Sequence, residues 1–399
     1  MNDNDLLALG QKYGTPLYVY DTEVIAEQYE QLSTAFTPRT RFFYACKALS
    51  NINILKYIRS LGAGLDCVSI NEVYLGLKAG FAAHDILFTP NCVSIDEIEA
   101  AKDLGIHINI DNLSVLEQFG HRHGASYPIF IRINPHIYAG GNHNISTGHI
   151  DSKFGISIHQ LRHVERIVKS TGIVVEGLHM HTGSEIKDVD VYMQGLSIML
   201  DMARHFPHLK YIDLGSGFKV PYHEGEMGTD VVELAARVTE AMAAFEQEQQ
   251  RSYELWFEPG KFLVSAAGNF LVSVNVIKHT TATVFAGVDS GFNHLIRPMF
   301  YDAYHTIENL SHPDGPPRIY TVVGNICETD TFAWDRKIAE IRERDILVFR
   351  NAGAYGFEMS SHFNSRLRPA EVLWHQGQDY LIRKRECFED LLKNQVEVL

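Results

Sequence analysis

The chain has 399 residues, 45% of them hydrophobic and 21% charged, which is enough to bury the core of a barrel and a second domain. Its formal net charge of −14 argues against a nucleic-acid partner, because proteins bind the phosphates of nucleic acids mainly through basic side chains. Its five cysteines form no CxxC pair, which is typical of reduced thiols. The acidic N-terminus lacks a signal-peptide pattern, and no run reaches the roughly 18 apolar residues of a membrane span. We therefore expect a cytoplasmic protein with no membrane partner.

Eight short and mostly apolar runs alternate with amphipathic stretches through the first two thirds of the chain. Near-continuous apolar runs are typical of parallel strands that are buried on both faces. The alternation predicts an α/β fold with a closed (β/α)8 TIM barrel, and an open doubly wound sheet is the lesser alternative. The eight runs cover residues 41–45, 63–69, 85–89, 106–111, 128–134, 174–181, 211–215 and 254–258.

Beyond about residue 270 the pattern changes to strands separated by turns, which predicts a largely antiparallel, β-rich C-terminal domain. We place the barrel at residues 22–272 and the second domain at 273–399. The segment 1–21 contains a further strand at 15–21 that could join the second domain. The polar, glycine-bearing stretch 136–155 is predicted to be a long loop that covers an active site.

Several of the predicted strands end in residues suited to one flat, phosphorylated cofactor. Lys47 directly follows the run FFYAC, so its amine should lie at the barrel mouth, where aromatic neighbours would lower its pKa. A lysine there suits a Schiff base, although a lone lysine at a strand end is more often a solvated charge. The Gly215–Gly217 turn could cradle a phosphate, and the turn that begins at Glu258 follows the last strand, where barrels commonly bind one.

The segment HMHTGS places His179 and His181 two residues apart, on one side of a strand. The pair is compatible with a metal or with a histidine that stacks on a ring. No third ligand follows at a convincing spacing, so no metal site is predicted. His179 is interpreted as a core histidine and His181 as the functional one.

Seven segments in order carry a resemblance that spans about Tyr18 to Leu373. The chain resembles the fold-type III pyridoxal-phosphate decarboxylases, and most closely the diaminopimelate decarboxylase family. The resemblance implies an alanine-racemase-like barrel, a β domain, and a homodimer whose active sites are shared between subunits. The segments are YACKA, HMHTGS, DLGSGF, EPGK, RPMFYDAYH, GNICETD and GAYGFEMSSHFNSRLRPAEVL.

The resemblance implies pyridoxal 5′-phosphate as the cofactor. Lys47 would bind it covalently, and His181 would stack on its ring. Glu258 would pair with the ring nitrogen, and Asp66 would support the lysine or the ring face. The phosphate would be held by Ser184, by backbone amides at Gly217 and Gly260, and by the Tyr355 hydroxyl, with Lys261 also in the cofactor site.

The resemblance also implies a substrate site for a small diamino diacid. Arg297 and Tyr301 would bind the carboxylate that the enzyme keeps, with Lys261 and Tyr355 beside them. Glu328 would bind the distal ammonium, and Cys327 would return a proton to the carbanion. Cys327 and Glu328 are expected to come from the partner subunit.

Two positions depart from the family pattern. Lys261 stands where the family has an arginine, which keeps the charge but loses the bidentate fork. Ser216 stands in the middle of the usual triple-glycine turn, where a small residue is tolerable at φ below zero.

Three functions compete. The first is decarboxylation of meso-2,6-diaminopimelate at its D-centre to give L-lysine, which the segments RPMFYDAYH and SHFNSRLRPAEVL favour. The second is a related decarboxylase that acts on carboxynorspermidine, ornithine or a specialised-pathway amino acid. The third is a non-catalytic pyridoxal-phosphate homeostasis protein, which uses the same barrel without a β domain. A racemase would require a second base on the opposite face of the ring.

Overall fold

The structure is a computed structural model that describes residues 1–37, 39–137, 148, 152–223 and 225–399. Most of the predicted loop over 136–155 therefore lies outside the described residues. The chain divides into two compact units. The barrel unit contains Ala26–Val220 and Met227–Leu263, and the β unit contains Met1–Ile25, Pro221–Glu226 and Val264–Leu399.

The elements of both units are numbered here in chain order. The described strands are β1 (Leu17–Asp21), β2 (Thr40–Ala45), β3 (Gly64–Cys67), β4 (Ile86–Phe88), β5 (His107–Ile110), β6 (Ile129–Asn134), β7 (Ile156–Ser157), β8 (Val175–His179), β9 (Tyr211–Asp213), β10 (Glu254–Phe257), β11 (Gly268–His279), β12 (Val284–Val288), β13 (Ile307–Asn309), β14 (Pro317–Val323), β15 (Thr331–Ala339), β16 (Ile346–Phe349), β17 (Ala370–His375) and β18 (Gln378–Arg383). The described α-helices are α1 (Asp3–Tyr13), α2 (Thr22–Ala35), α3 (Ile52–Ser60), α4 (Ile70–Ala79), α5 (Ile95–Asp103), α6 (Leu113–His123), α7 (Leu161–Thr171), α8 (Val189–Ala203), α9 (Val231–Gln249), α10 (Lys261–Val264), α11 (Arg297–Tyr301) and α12 (Phe388–Leu392).

The barrel unit is a closed ring of eight parallel strands. Its strand order is β5-β4-β3-β2-β10-β9-β8-β6, and pairing of β5 with β6 closes the ring. Each of the eight predicted runs overlaps one of these strands, so the (β/α)8 prediction is confirmed. The two-residue β7 pairs with β6 in addition.

Large side chains from four of the barrel strands, β2, β4, β6 and β10, fill one part of the barrel interior. Phe43, Leu87, Phe130 and Trp256 form a buried cluster, and the Phe43 and Trp256 rings lie 4.2 Å apart, centroid to centroid. Gly177 is required beside them, because a Cβ there would lie 2.1 Å from the Phe130 ring. The barrel is therefore a packed core, and its chemistry is confined to the strand ends.

The β unit is built on one mixed sheet of order β15-β14-β12-β11-β1-β17-β18, with β16 pairing β11 and β13 pairing β16. Its described strand pairs are antiparallel except β1–β17 and β12–β14, which confirms the β-rich, largely antiparallel second region. The N-terminal strand β1 lies between β11 and β17. Leu6 and Leu9 of α1 pack into the apolar core of this sheet. Among the described residues, no helix is long and apolar enough to cross a membrane.

Candidate active site

Lys47 and Asp66 form the first part of the site, at the carboxyl ends of neighbouring strands β2 and β3. Lys47 lies in a short 3-10 turn, and its Nζ is 3.7 Å from Oδ2 of Asp66. The lysine side chain is 39% exposed, whereas Asp66 is buried and accepts a hydrogen bond from the Thr89 hydroxyl. Burial, and then the charge of Glu258, raise the pKa of Asp66 to about 6. The site therefore offers a reachable amine above a buried carboxyl group.

His181 follows β8, and its ring orientation is fixed by the next loop. The backbone N–H of Ser216 donates to Nδ1 of His181 at 3.3 Å. Desolvation by the surrounding protein, and then the charge of Lys47, hold the pKa of His181 well below its usual range. A neutral, oriented imidazole can lie against a flat ring without bringing a further positive charge to the site.

The turns after β8 and β9 pack against each other, backbone on backbone. Gly217 has φ +104°, and a Cβ there would lie 2.2 Å from the carbonyl oxygen of Gly183. The N–H of Ile186, two residues after Ser184, donates to the carbonyl of Gly217 at 2.9 Å. Gly260 in the turn after β10 is less tightly packed, because a Cβ there would lie 3.0 Å from that of Ala45. Small-residue turns of this kind can present backbone N–H groups to a phosphate.

Glu258 follows β10 and is buried, with a backbone hydrogen bond of 2.7 Å from its N–H to the carbonyl of Gly215. Its Oε2 lies 3.2 Å from Nε2 of His179, whose Nδ1 lies 2.9 Å from Nδ2 of Asn109. Its Oε1 has no hydrogen-bond partner among the described residues. Burial raises the pKa of Glu258.

Asp213 is a further acid and lies next to the pair formed by His179 and Glu258. One ligand atom from each of His179, Asp213 and Glu258 falls within 4.8 Å of the others. Burial, and then the charge of Glu258, raise the pKa of Asp213 well above its usual range, which favours a proton on Asp213. Sequence reasoning missed Asn109 and Asp213 and gave His179 only a core role. The available signal was a polar residue near the carboxyl end of each of three barrel strands, β5, β8 and β9.

Lys261 begins α10 and forms an ion pair with Glu185, in the loop after β8. Their side chains are 10% and 23% exposed. Sequence reasoning treated Lys261 as a cation available to a ligand and did not identify Glu185. In the structure the charge of Lys261 is balanced within the barrel unit.

Arg297 occupies a different environment in the β unit. It is 5% exposed, and its guanidinium lies over the ring of Tyr222 at 5.3 Å and that of Tyr301 at 5.9 Å. Nη2 donates to the Tyr222 hydroxyl at 3.2 Å, and Nε has no hydrogen-bond partner among the described residues. No described acid forms an ion pair with Arg297. A buried cation without a counter-ion favours an anionic ligand, because an unpaired buried charge is costly.

The remaining predicted residues of the β unit lie at or near the surface. Cys327 and Glu328 are exposed, and the Cys327 N–H donates to Oδ1 of Asn364 at 3.1 Å. The Asp330 carboxylate holds the same turn by accepting the Ile326 N–H at 2.9 Å. Tyr355 is half-buried, with φ +56°.

Residues 22–265 match the protein-family model described as "Pyridoxal-dependent decarboxylase, pyridoxal binding domain". The match covers more than half of the chain, so this protein belongs to the pyridoxal-phosphate-dependent decarboxylases, which are carboxy-lyases. The residues present fit the cofactor. Glu258 Oε1 is a buried acceptor that lacks a donor, which a protonated pyridine nitrogen would supply, and Lys47 is a reachable primary amine.

The whole chain, including the β unit, has close relatives. It is 39% identical to the diaminopimelate decarboxylase of Methanothermobacter thermautotrophicus, over 98% of this chain and 94% of the relative. A crystal structure of diaminopimelate decarboxylase superposes with a TM-score of 0.90 at 32% identity, covering 98% of this chain and 96% of that one. The Helicobacter pylori diaminopimelate decarboxylase in complex with L-lysine gives a TM-score of 0.88 at 31% identity, with 98% of each chain covered. The chain belongs to the diaminopimelate decarboxylase family.

Proposed function

We propose that the protein decarboxylates meso-2,6-diaminopimelate at its D-centre and releases L-lysine and carbon dioxide. The observation that carries the choice of substrate is Arg297, a buried guanidinium with no described acid partner. Diaminopimelate keeps a second carboxylate after the first one leaves, whereas ornithine and carboxynorspermidine keep none. Arg297 therefore favours the diacid. The third alternative, a non-catalytic carrier, is excluded by membership of a decarboxylase family.

When bound, pyridoxal phosphate accepts the electrons that remain on the α-carbon as carbon dioxide departs. We propose that Lys47 binds the cofactor covalently and that Asp66 holds the lysine in position. His181 would lie against the ring, and Glu258 would accept the N–H of the pyridine nitrogen. The neutral state of His181 supports its role, because it keeps that face of the site uncharged.

The phosphate is proposed to bind at Ser184, the backbone amides of Gly217 and Gly260, and the Tyr355 hydroxyl. This assignment is supported by the close packing of the glycine turns, which brings main chain rather than side chains to this edge of the barrel.

The substrate residues are proposed to be those of the β unit. Arg297 and Tyr301 bind the retained carboxylate, and Glu328 binds the distal ammonium. Cys327 returns a proton to the α-carbon after carbon dioxide leaves. Lys261 contributes less than Arg297, because Glu185 already balances its charge.

We further propose that the enzyme is a cytoplasmic homodimer in which Cys327 and Glu328 complete the site of the other subunit. The exposure of these two side chains supports the shared site. Co-expression in equal amounts of a Lys47→Ala and a Cys327→Ala chain tests it. Random pairing makes half of the dimers mixed, with one intact site in two, so roughly a quarter of wild-type activity should return. Activity no higher than the mean of the two separate variants would contradict a shared site.

The test of the substrate is incubation of the pyridoxal-phosphate-loaded enzyme with meso-diaminopimelate, L,L-diaminopimelate, ornithine and carboxynorspermidine separately. Carbon dioxide and the amine product are measured together, and the Lys47→Ala variant serves as the blank. We expect lysine from the meso isomer alone. Carbon dioxide from ornithine or carboxynorspermidine, with none from diaminopimelate, would overturn the substrate and leave the cofactor assignment standing.

A further inference from the structure

A line of contacts crosses the barrel interior and ends at Glu258. Asn109 lies on β5 and His179 on β8, with β6 between these strands in the sheet, so their 2.9 Å contact spans the inside of the barrel. Nε2 of His179 then lies 3.2 Å from Oε2 of Glu258. Asn109, His179 and Glu258 are all buried. No role in the reaction has yet been assigned to the first two.

The chemistry of these groups fixes where the proton of His179 lies. In the structure the amide nitrogen of Asn109 faces Nδ1, and with this orientation of the amide the nitrogen donates and Nδ1 accepts. Burial, and then the positive charge of Arg132, hold the pKa of His179 well below its usual range, so the imidazole is neutral. A neutral imidazole has one N–H, which must therefore be on Nε2 and be donated to Glu258 Oε2.

This donation leaves the two oxygens of Glu258 in different states. Oε2 is occupied by His179, whereas no described donor lies at hydrogen-bond distance from the buried Oε1. The Asp213 carboxyl is the other group beside Glu258 and acts on it as a hydrogen-bonding neighbour. A donor at Oε2 also favours the carboxylate over the acid, which opposes the effect of burial on the pKa of Glu258.

We infer that Asn109 and His179 are positioning residues, which orient Glu258 so that its free oxygen accepts the N–H of the pyridine nitrogen. The inference rests on the proposed function in one respect, the placement of Glu258 at that nitrogen. Asn109 acts by selecting the tautomer of His179, and His179 acts by occupying one carboxylate oxygen. Groups of this kind, one contact removed from the reacting atoms, typically alter rates by about 10- to 100-fold.

The same atoms admit a competing interpretation, in which His179, Asp213 and Glu258 bind a metal ion. A metal would require the lone pair of Nε2 on the side of Glu258, where the inferred tautomer has a hydrogen. The position of one proton therefore separates the two interpretations.

The first measurement uses cofactor-free protein labelled with ¹⁵N-histidine. A long-range ¹H–¹⁵N spectrum distinguishes the two neutral tautomers, and the His179→Gln variant identifies the signals of this residue by their absence. We expect a neutral ring protonated at Nε2. A ring protonated at Nδ1, an imidazolium, or a shift of these signals on removal of metal by a chelator would overturn the inference.

The second measurement compares His179→Leu with His179→Gln. Glutamine can place an amide N–H where Nε2 lies and so keep the donor to Glu258, whereas leucine cannot. We expect leucine to lower kcat by about tenfold or more with KM nearly unchanged, and to change the absorbance of the bound cofactor. The His179→Gln variant should keep most of the wild-type kcat and most of the wild-type cofactor absorbance. Asn109→Asp, which presents an acceptor to Nδ1 in place of a donor, should resemble leucine and change the histidine signals.

A matched control exists in the same barrel. His107 on β5 pairs with Glu176 on β8 at 3.4 Å and is not part of the proposed site, so His107→Leu should behave as wild type. If the wild type makes lysine and His179→Leu behaves like this control, the inference fails and the function stands. If no substrate is decarboxylated but cofactor absorbance follows the predicted order of variants, the function fails and the inference stands.

Discussion

The candidate residues of the two units differ in how their charges are balanced. In the barrel unit, Lys47 lies against Asp66 and Lys261 is paired with Glu185. In the β unit, Arg297 is buried with no acid partner among the described residues, and Cys327 is exposed. Both candidate lysines of the barrel unit therefore have acid partners, whereas Arg297 of the β unit has none among the described residues. This difference suggests a division of work, in which the barrel holds the cofactor and the β unit selects the substrate.

The largest effect expected from this division is that of Lys47→Ala. Loss of the amine removes the covalent attachment of the cofactor, so the characteristic absorbance should disappear and kcat should fall by roughly a thousandfold or more. Absorbance spectra and lysine production measure the two effects. Lys56→Ala, an exposed lysine on α3, is the matched control. A surviving absorbance band would show that another lysine binds the cofactor.

Arg297→Lys should change KM rather than kcat, unlike Lys47→Ala. A lysine keeps the charge but loses the two-pronged hydrogen bonding, worth about 1.5–3 kcal/mol, so KM for diaminopimelate should rise roughly 10- to 100-fold. The retained carboxylate does not react, so its contacts are equal in ground and transition states and kcat should change little. Steady-state kinetics with diaminopimelate measure both constants.

The control is Arg318→Lys, an exposed arginine of the same unit that is paired with Glu340. The cofactor absorbance should be unchanged in both variants. A changed absorbance with an unchanged KM would place Arg297 in the cofactor site and break the division between the units.

Cys327→Ala should lower kcat by at least about tenfold and leave the cofactor absorbance intact, because the thiol is proposed to act only after carbon dioxide has left. Cys387 is another exposed cysteine of the β unit, so Cys387→Ala controls for general loss of a thiol. Equal kcat values for Cys327→Ala and Cys387→Ala would show that Cys327 is not the proton donor.

The fold was largely predictable because buried parallel strands are continuous apolar runs, and all eight runs became barrel strands. In the β unit, β13, β15 and β17 were not located individually; TFAWDRKIA of β15, for example, mixes apolar and charged residues with no clear alternation. The helix α1 was also missed, since only its packing against the sheet buries Leu6 and Leu9. Patterns along the chain describe burial well only where both faces of an element are covered.

The sequence could place a candidate residue at the barrel mouth where that residue follows a strand, as Lys47 follows β2 and Glu258 follows β10. The sequence could not identify contacts that join two loops or cross the barrel. The pairing of Lys261 with Glu185 joins residues 76 positions apart, and that of Asn109 with His179 joins residues 70 apart. Neither spacing has a local signature, so only the closed ring of strands reveals these partners.

The smallest expected effect is that of Lys261→Arg, which restores the residue of the family pattern. Because Glu185 already balances this charge, a change of cation should alter kcat/KM by less than about threefold. Glu185→Gln should release Lys261 toward a ligand carboxylate and lower KM by a similar factor, so the double variant is the informative one. If arginine improves kcat/KM only when Glu185 is also replaced, Glu185 is what separates Lys261 from the substrate. A tenfold gain in kcat/KM from Lys261→Arg alone would instead show that the barrel binds substrate carboxylate as strongly as the β unit does. Arg297 would then no longer distinguish the β unit as the unit that selects the substrate.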